Sequence, residues 1–264
     1  MTQELSLGIS PCPNDTYIFY AMVHERIDLA PFSLQTTLAD VQELNQAACT
    51  GGFDLVKISA AALAQVQDQY TLLRAGGALG RGCGPLLVAR PGFDLAQLPE
   101  AVVALPGDMT TASLLLRLHG LHQGHRKELR YDRIMTAVAS GEAEVGLVIH
   151  EGRFTYPAYG LEKILDLGQW WETETGLPIP LGVIAVKSDL GPEVAAWAED
   201  RIRASLAYAR AHHDLAWPFI QSNAQEMDAQ TISEHIQTFV TEYSWDLGEE
   251  GLKAVHRLLR AGTA

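Results

Sequence analysis

Polar and ionisable side chains collect in this sequence at points where short apolar runs end. In Ser10-Pro-Cys-Pro-Asn-Asp-Thr16 two prolines stiffen a turn that leads into a helical stretch. Free backbone N–H groups at a helix start favour an anion, so Ser10, Asn14 and Asp15 could hold a carboxylate or phosphate, with Asn14 or Asp15 as the N-cap. An ordinary capped turn would use the same residues. Lys57-Ile58-Ser59 closes an apolar run that includes Leu55 and Val56. Its ammonium could pair with a substrate carboxylate, and Ser59 could cap the following Ala-rich segment, bind a ligand, or do both. In Pro106-Gly-Asp-Met-Thr-Thr-Ala112, Thr110 and Thr111 bring hydroxyls and orphan amides to a second helix start, where simple capping would account for one of them. His150 follows the apolar Val145, Leu147, Val148 and Ile149 and precedes Glu151 and Arg153. With an ordinary pKa of about 6.5, an imidazole at a strand end is a ready proton acceptor. A structural histidine is the competing reading, and Glu151 and Arg153 could orient the ring or bind substrate.

Other reactive residues fit less well. Cys12 lies at a helix start, which lowers a thiol pKa, but no histidine is adjacent and GxSxG is absent. The Gly-rich residues 76–84 lead from one strand into another, so they are no nucleotide fingerprint; they read as a flexible connector in which Arg81 is either a ligand contact or a solvated charge. His119, His122 and His125 lie three apart and could share a helix face, as a polar surface cluster or a metal site. The three cysteines, Cys12, Cys49 and Cys83, are widely spaced and read as reduced thiols.

The elements that position these loops alternate. Strands are expected at 5–9, 32–37, 53–58 and 70–74, with helices at 16–24, 40–48 and 59–66 between them. A second series has strands at 85–90, 102–105, 129–131 and 145–149 and helices at 110–118 and 134–139. After a strand at 181–186 the chain reads as helical, at 194–211, 216–222, 231–243 and 249–259. This predicts an α/β fold with mostly parallel sheets and a helical C-terminal region. Residues 85–90 and 180–187, both marked by Gly and Pro, read as crossovers, giving one lobe of residues 1–90 plus 183–264 and another of 91–182 with a cleft between. Ligands in such folds lie beyond the carboxyl ends of strands, where the polar loops are.

The 264 residues, 47% hydrophobic, suffice for one large domain or two modest ones. A net charge of -13, from 32 acidic and 19 basic side chains, is wrong for a nucleic-acid partner. No apolar run reaches the roughly 18 residues of a membrane span, and the N-terminal residues lack a signal-peptide pattern, so a cytoplasmic protein is expected. Trp170 and Trp171 fit either core packing or a homodimer contact.

Taken in order, the motifs resemble one family, the 1,4-dihydroxy-6-naphthoate synthases of the futalosine route to menaquinone. They are Ser10-Pro-Cys-Pro-Asn-Asp-Thr16, Lys57-Ile-Ser59, Gly76-Gly-Ala-Leu-Gly-Arg81, Asp108-Met-Thr-Thr111, Tyr131-Asp-Arg133, His150-Glu-Gly-Arg-Phe-Thr-Tyr-Pro157 and Asp166-Leu-Gly-Gln-Trp-Trp171. The resemblance implies a two-lobed periplasmic-binding-protein-like fold of type II. It also implies cleavage of cyclic dehypoxanthinyl futalosine to 1,4-dihydroxy-6-naphthoate and a dihydroxyacetone-like fragment, with no metal or organic cofactor. By position, His150 matches the family's proton acceptor, and Lys57 to Ser59 and Thr110 with Thr111 match its substrate-binding segments. Chorismate dehydratase, a sister enzyme of the same fold, is less similar in these loops. A small-anion binding protein of that shape without catalysis is the alternative from another functional class.

Overall fold

The computed structural model describes residues 3–225 and 228–262 and contains two open sheets. In the first, β1 (Gln3–Ile9) pairs in parallel with β2 (Phe32–Leu38) and with β3 (Leu55–Ser59). Beside β3 and antiparallel to it runs β11 (Ile179–Lys187), to which β4 (Tyr70–Leu72) and β5 (Ala78–Gly80) add, again antiparallel. In the second sheet, β7 (Val103–Leu105) lies between parallel partners β8 (Arg126–Glu128) and β9 (Val145–Val148). Next to β9 comes β6 (Leu86–Ala89), antiparallel both to it and to the edge strand β10 (Glu162–Asp166). The sheets therefore share a plan: three parallel strands in the order second, first, third, then one reversed strand that enters from the other sheet's stretch of chain.

Chain changes sheet between Gly80 and Leu86 and returns between Asp166 and Ile179. The sequence expectation put these changes at 90/91 and 182/183. Leu86 to Ala89 pairs on both sides, with β9 and β10, and all four residues are buried, which seats the segment inside the second sheet.

The buried runs of β3, β6, β7 and β9 arise because helices or neighbouring chain cover both faces. Helix α1 (Pro13–Val23) is buried from Pro13 to Met22, since the C-terminal helices α8 (Gly191–Ala211), α9 (His213–Asn223) and α10 (Ala229–Phe239) pack over it. It begins three residues before its expected start, with Pro13 at a position where proline costs no hydrogen bond. Cys12 therefore sits at the N-cap, without a side-chain cap, and Asn14 and Asp15 lie inside the first turn. Helix α2 (Val41–Cys49) opens on a capping box of Asp40 with Glu43.

Several expectations are corrected. Of residues 59–66 only α3 (Leu63–Val66) is helical; the Ala60 amide donates to the Leu181 carbonyl instead. The strand expected at 129–131 is Arg126–Glu128, an edge strand with charged side chains and hence no apolar alternation, and Tyr131 opens α5 (Tyr131–Ser140). Helix α4 (Thr111–His119) stops at Gly120, which is left-handed at φ 79°, so His122 and His125 do not share its face. His122 is buried with Nε2 2.9 Å from the Ala101 carbonyl, and no three metal-ligating side chains cluster among the described residues. Residues 231–243 split at Val240 into α10 and the short α11 (Glu242–Trp245), capped by Thr241. Between β9 and β10 lies α6 (Gly152–Thr155), and α7 (Leu167–Thr175) follows β10; none of the three was anticipated. Trp171 is core, its indole N–H donating to the Pro178 carbonyl, and Trp170 meets the His119 ring edge-on.

The final helix, α12 (Gly248–Gly262), packs against β11, α3 and α4. With it, one apolar cluster runs continuously from Val56 and Ile58 in the first sheet to Val103 and Leu147 in the second. No helix among the described residues is long and apolar enough to cross a membrane.

Candidate active site

A cleft enclosing about 680 Å³, mouth included, opens between the sheets. That is within the usual range for small-molecule sites. Its first wall is the turn after β1 together with the end of β3. Asp15, 1% exposed, accepts bonds at Oδ2 from the Ser10 hydroxyl (2.7 Å) and amide (3.2 Å), and at Oδ1 from Asn14 Nδ2 (2.7 Å) and from Lys57 Nζ. The ammonium expected to await a substrate carboxylate is thus already matched to an internal one. Gly182, across the ladder from Ser59, makes this burial possible: a Cβ there would lie 2.7 Å from Lys57 Cε. The Ser59 hydroxyl does not cap α3. It accepts from Asn45 Nδ2 (3.0 Å), whose Oδ1 takes the Ser59 amide (2.8 Å), so Ser59 Oγ keeps its proton for the cleft. Ile58 lines the floor.

The second wall is the start of α4. Thr110 caps it, its Oγ1 accepting from the Ser113 amide (3.2 Å) and donating to the Gly107 carbonyl (2.8 Å). Thr111 Oγ1 donates to the Leu181 carbonyl (2.9 Å) and accepts from the Ala61 amide (3.2 Å), joining the second sheet's helix to the first sheet's chain. Both hydroxyls are occupied, which leaves the backbone amides of Thr111 and Ala112 as the donors a helix start offers to an anion.

His150 stands at the end of β9 and lines the cleft. Its φ of 53° is unusual for a non-glycine residue and marks a position the surroundings hold in place. Tyr131 meets the ring edge-on at 5.0 Å and His235 stacks on it at 6.0 Å. Nε2 is buried without a partner. Burial brings the ring's pKa down to about 4, with Glu151 pulling upward and His235 adding to the decrease. The imidazole is therefore a neutral, unspent acceptor at physiological pH.

Arg153 borders the cleft, but its guanidinium donates to the Gly84 carbonyl and lies 3.6 Å from Asp166, which caps α7. Glu151 lies behind His150, outside the cleft; burial pushes its carboxyl up, and His235 and His150 more than reverse this, holding it below the usual range. Arg81 is on the outer surface, bonded to Glu250 and the Gly176 carbonyl. Cys12 is buried, and that burial, reinforced by Glu151, pushes its thiol well up, opposite to the activation expected of a helix start. Burial also drives the Cys83 thiol up to about 12.

The cleft is also lined by residues to which the sequence reading gave no site role, Cys83, Gly84, Pro85 and Phe239 of α10, and His235, one turn before Phe239, stacks on the His150 ring from outside it. Residues 76–84 are buried except at Arg81 and Gly82 and contribute β5, so the segment is a wall and not a loose connector.

Residues 5–264 of the sequence match the family described as menaquinone biosynthesis. A Thermus thermophilus protein named 1,4-dihydroxy-6-naphthoate synthase is 50% identical over 99% of this chain and 95% of its own length. One of the same name from Streptomyces coelicolor is 42% identical over 98% and 93%. The chain belongs to this menaquinone-biosynthesis family, with the 1,4-dihydroxy-6-naphthoate synthases. Its architecture is that of periplasmic binding proteins of type II, as the shared sheet plan requires. The periplasmic aliphatic sulphonate binding protein of Escherichia coli superposes with a TM-score of 0.65 over 90% of this chain and 80% of its own at 12% identity, a likeness of fold alone.

Proposed function

We propose that this family member is a carbon–carbon lyase that converts cyclic dehypoxanthinyl futalosine to 1,4-dihydroxy-6-naphthoate and a dihydroxyacetone-like fragment. The observation that carries the reading is His150: a neutral imidazole with a buried, unpartnered Nε2 in a cleft that the start of α4 also lines. The names of the relatives support it. In the reaction His150 takes a proton from a substrate hydroxyl, whose O–H electron pair becomes the carbonyl of the departing fragment; the pair of the broken carbon–carbon bond enters the ring system as it becomes aromatic, and the proton returns from His150 to a ring oxygen. The substrate's aryl carboxylate docks on the Thr111 and Ala112 amides, because Lys57 is committed to Asp15. Ser59 Oγ donates to a substrate oxygen. The two lobes, one built on each sheet with the chain crossing between Gly80 and Leu86 and between Asp166 and Ile179, close over the ligand and exclude water from the cleft.

The test is incubation with the cyclic substrate and detection of released naphthoate. His150→Ala is expected to lower kcat by about 100-fold or more, the usual contribution of a placed base. A near-wild-type kcat removes His150 from that role. Binding without product turns the reading toward a non-catalytic anion binder, and turnover of chorismate assayed alongside turns it toward a dehydratase.

A further inference from the structure

His235 is fully buried on α10, on one face with Ile232 and Phe239, and the proposed chemistry does not use it. Its ring is nearly parallel to that of His150, at 15° and 6.0 Å between centroids. The surrounding bonds fix where its protons are. Lys57 and Ser10 donate to the Asp15 carboxylate, and so does Asn14 Nδ2; Asn14 must therefore present its carbonyl oxygen to His235, at 2.9 Å from Nε2. Nε2 is consequently a donor. Nδ1 lies 3.4 Å from Glu151 Oε2, and neither atom has another partner. Two bare acceptors facing each other in a buried site repel, so one further proton is shared by this pair.

We propose that His235 is a positioning residue for His150: it backs the imidazole with its own ring and, together with Glu151, sets the charge that imidazole experiences. This rests on the reading of His150 as the base. The groups facing His150 are Glu151 beside it in the chain, His235 from α10, Asp15 from α1, Lys57 from β3 and Tyr131 from α5. Asp15 and Lys57 neutralise each other, and the Tyr131 phenol is pushed far up by burial, so it stays uncharged. The Glu151–His235 pair is then the adjustable element. An anion at 151 alone would favour a protonated His150; the proton held with His235 opposes it.

The test follows the His150 ring by ¹⁵N NMR titration, assigned with His150→Asn, and measures turnover on the same preparations. Replacing His235 by Gln keeps a donor toward Asn14 but removes the charge. Replacing it by Asn keeps a donor toward Glu151. Both are expected to raise the His150 midpoint by roughly one to two pH units, the size of a unit-charge effect at this separation, and to move the acid limb of kcat/KM with it. Adding E151Q to H235Q should cancel most of the rise. Midpoints within a few tenths of wild type in folded H235Q and H235N overturn the proposal and leave His235 as packing. A shifted midpoint in a protein that never turns over the cyclic substrate removes the lyase reading while the coupling stands.

Discussion

Keeping His150 neutral carries a thermodynamic signature that requires no substrate. In the unfolded chain a histidine protonates at about 6.5; in the folded protein burial lowers this one to about 4. Between those values the unfolded state binds more protons, so stability falls as pH falls, and the full loss is reached below the folded value. The loss attributable to this one ring is about 0.8 kcal/mol at pH 6 and about 2 kcal/mol at pH 5, approaching about 3 kcal/mol below pH 4. Carboxylates such as Asp54 and Glu151, held below their usual range, also lose stabilising ionisation on acidification. The measurement must therefore be differential. Urea unfolding of the wild type and of His150→Asn at pH 7.5, 6 and 5 cancels the common groups, since asparagine does not titrate. The wild type should lose about 2 kcal/mol more than the variant between pH 7.5 and 5. If the two proteins lose stability in parallel, to within about 0.5 kcal/mol, the ring titrates normally in the folded state and the case for a desolvated base fails.

Two further outcomes follow from the packing around the cleft. Gly168 and Gly84 meet backbone to backbone, and a Cβ on Gly168 would lie 2.6 Å from Gly84 Cα, so Gly168→Ala should cost about 1–3 kcal/mol in a thermal melt; an unchanged Tm would mean the α7 start moves freely. Lys57→Met strands the buried Asp15 carboxylate and should cost about 3–5 kcal/mol, whereas the double variant Lys57→Met/Asp15→Asn should cost less than the single, which a double-mutant cycle in urea measures.

Much of this was legible in the sequence, for reasons particular residues make plain. Alternation in Leu5, Leu7 and Ile9 and the buried run ending at Ile149 are signals of strands with one or both faces covered, and polar residues just beyond such runs point to the cleft. All ten expected site residues border it, from Ser10, Asn14 and Asp15 through Lys57, Ile58 and Ser59 to Thr110, Thr111, His150 and Arg153. What the sequence could not convey was how their charges are spent. Nothing local to Lys57 says that Asp15, 42 residues earlier, meets it, and nothing local to Arg153 says that the Gly84 carbonyl does. His235 escaped because the C-terminal helices read as an apolar cap. The available signal was a polar residue on the buried face that Ile232 and Phe239 define, a placement that needs a partner to be tolerated.

The shared plan of the two sheets explains why these positions converge and why their roles differ. β1 and β3 in the first sheet correspond to β7 and β9 in the second, so each sheet contributes a helix start after its first strand and a polar residue at the end of its third. In the first sheet the helix start is filled from within, by Asp15 balanced against Lys57. In the second the equivalent start has no acidic residue in its first turn, and Thr111 and Ala112 line the cleft. The helix start left without an internal anion is thus the second one, across from an internally neutralised wall, and the polar end of the third strand beside it is His150. The departure from this pairing is His235, brought in by α10. It couples the Asp15 network to Glu151 across the interval between the sheets, so the charge state of the imidazole depends on both lobes being in place.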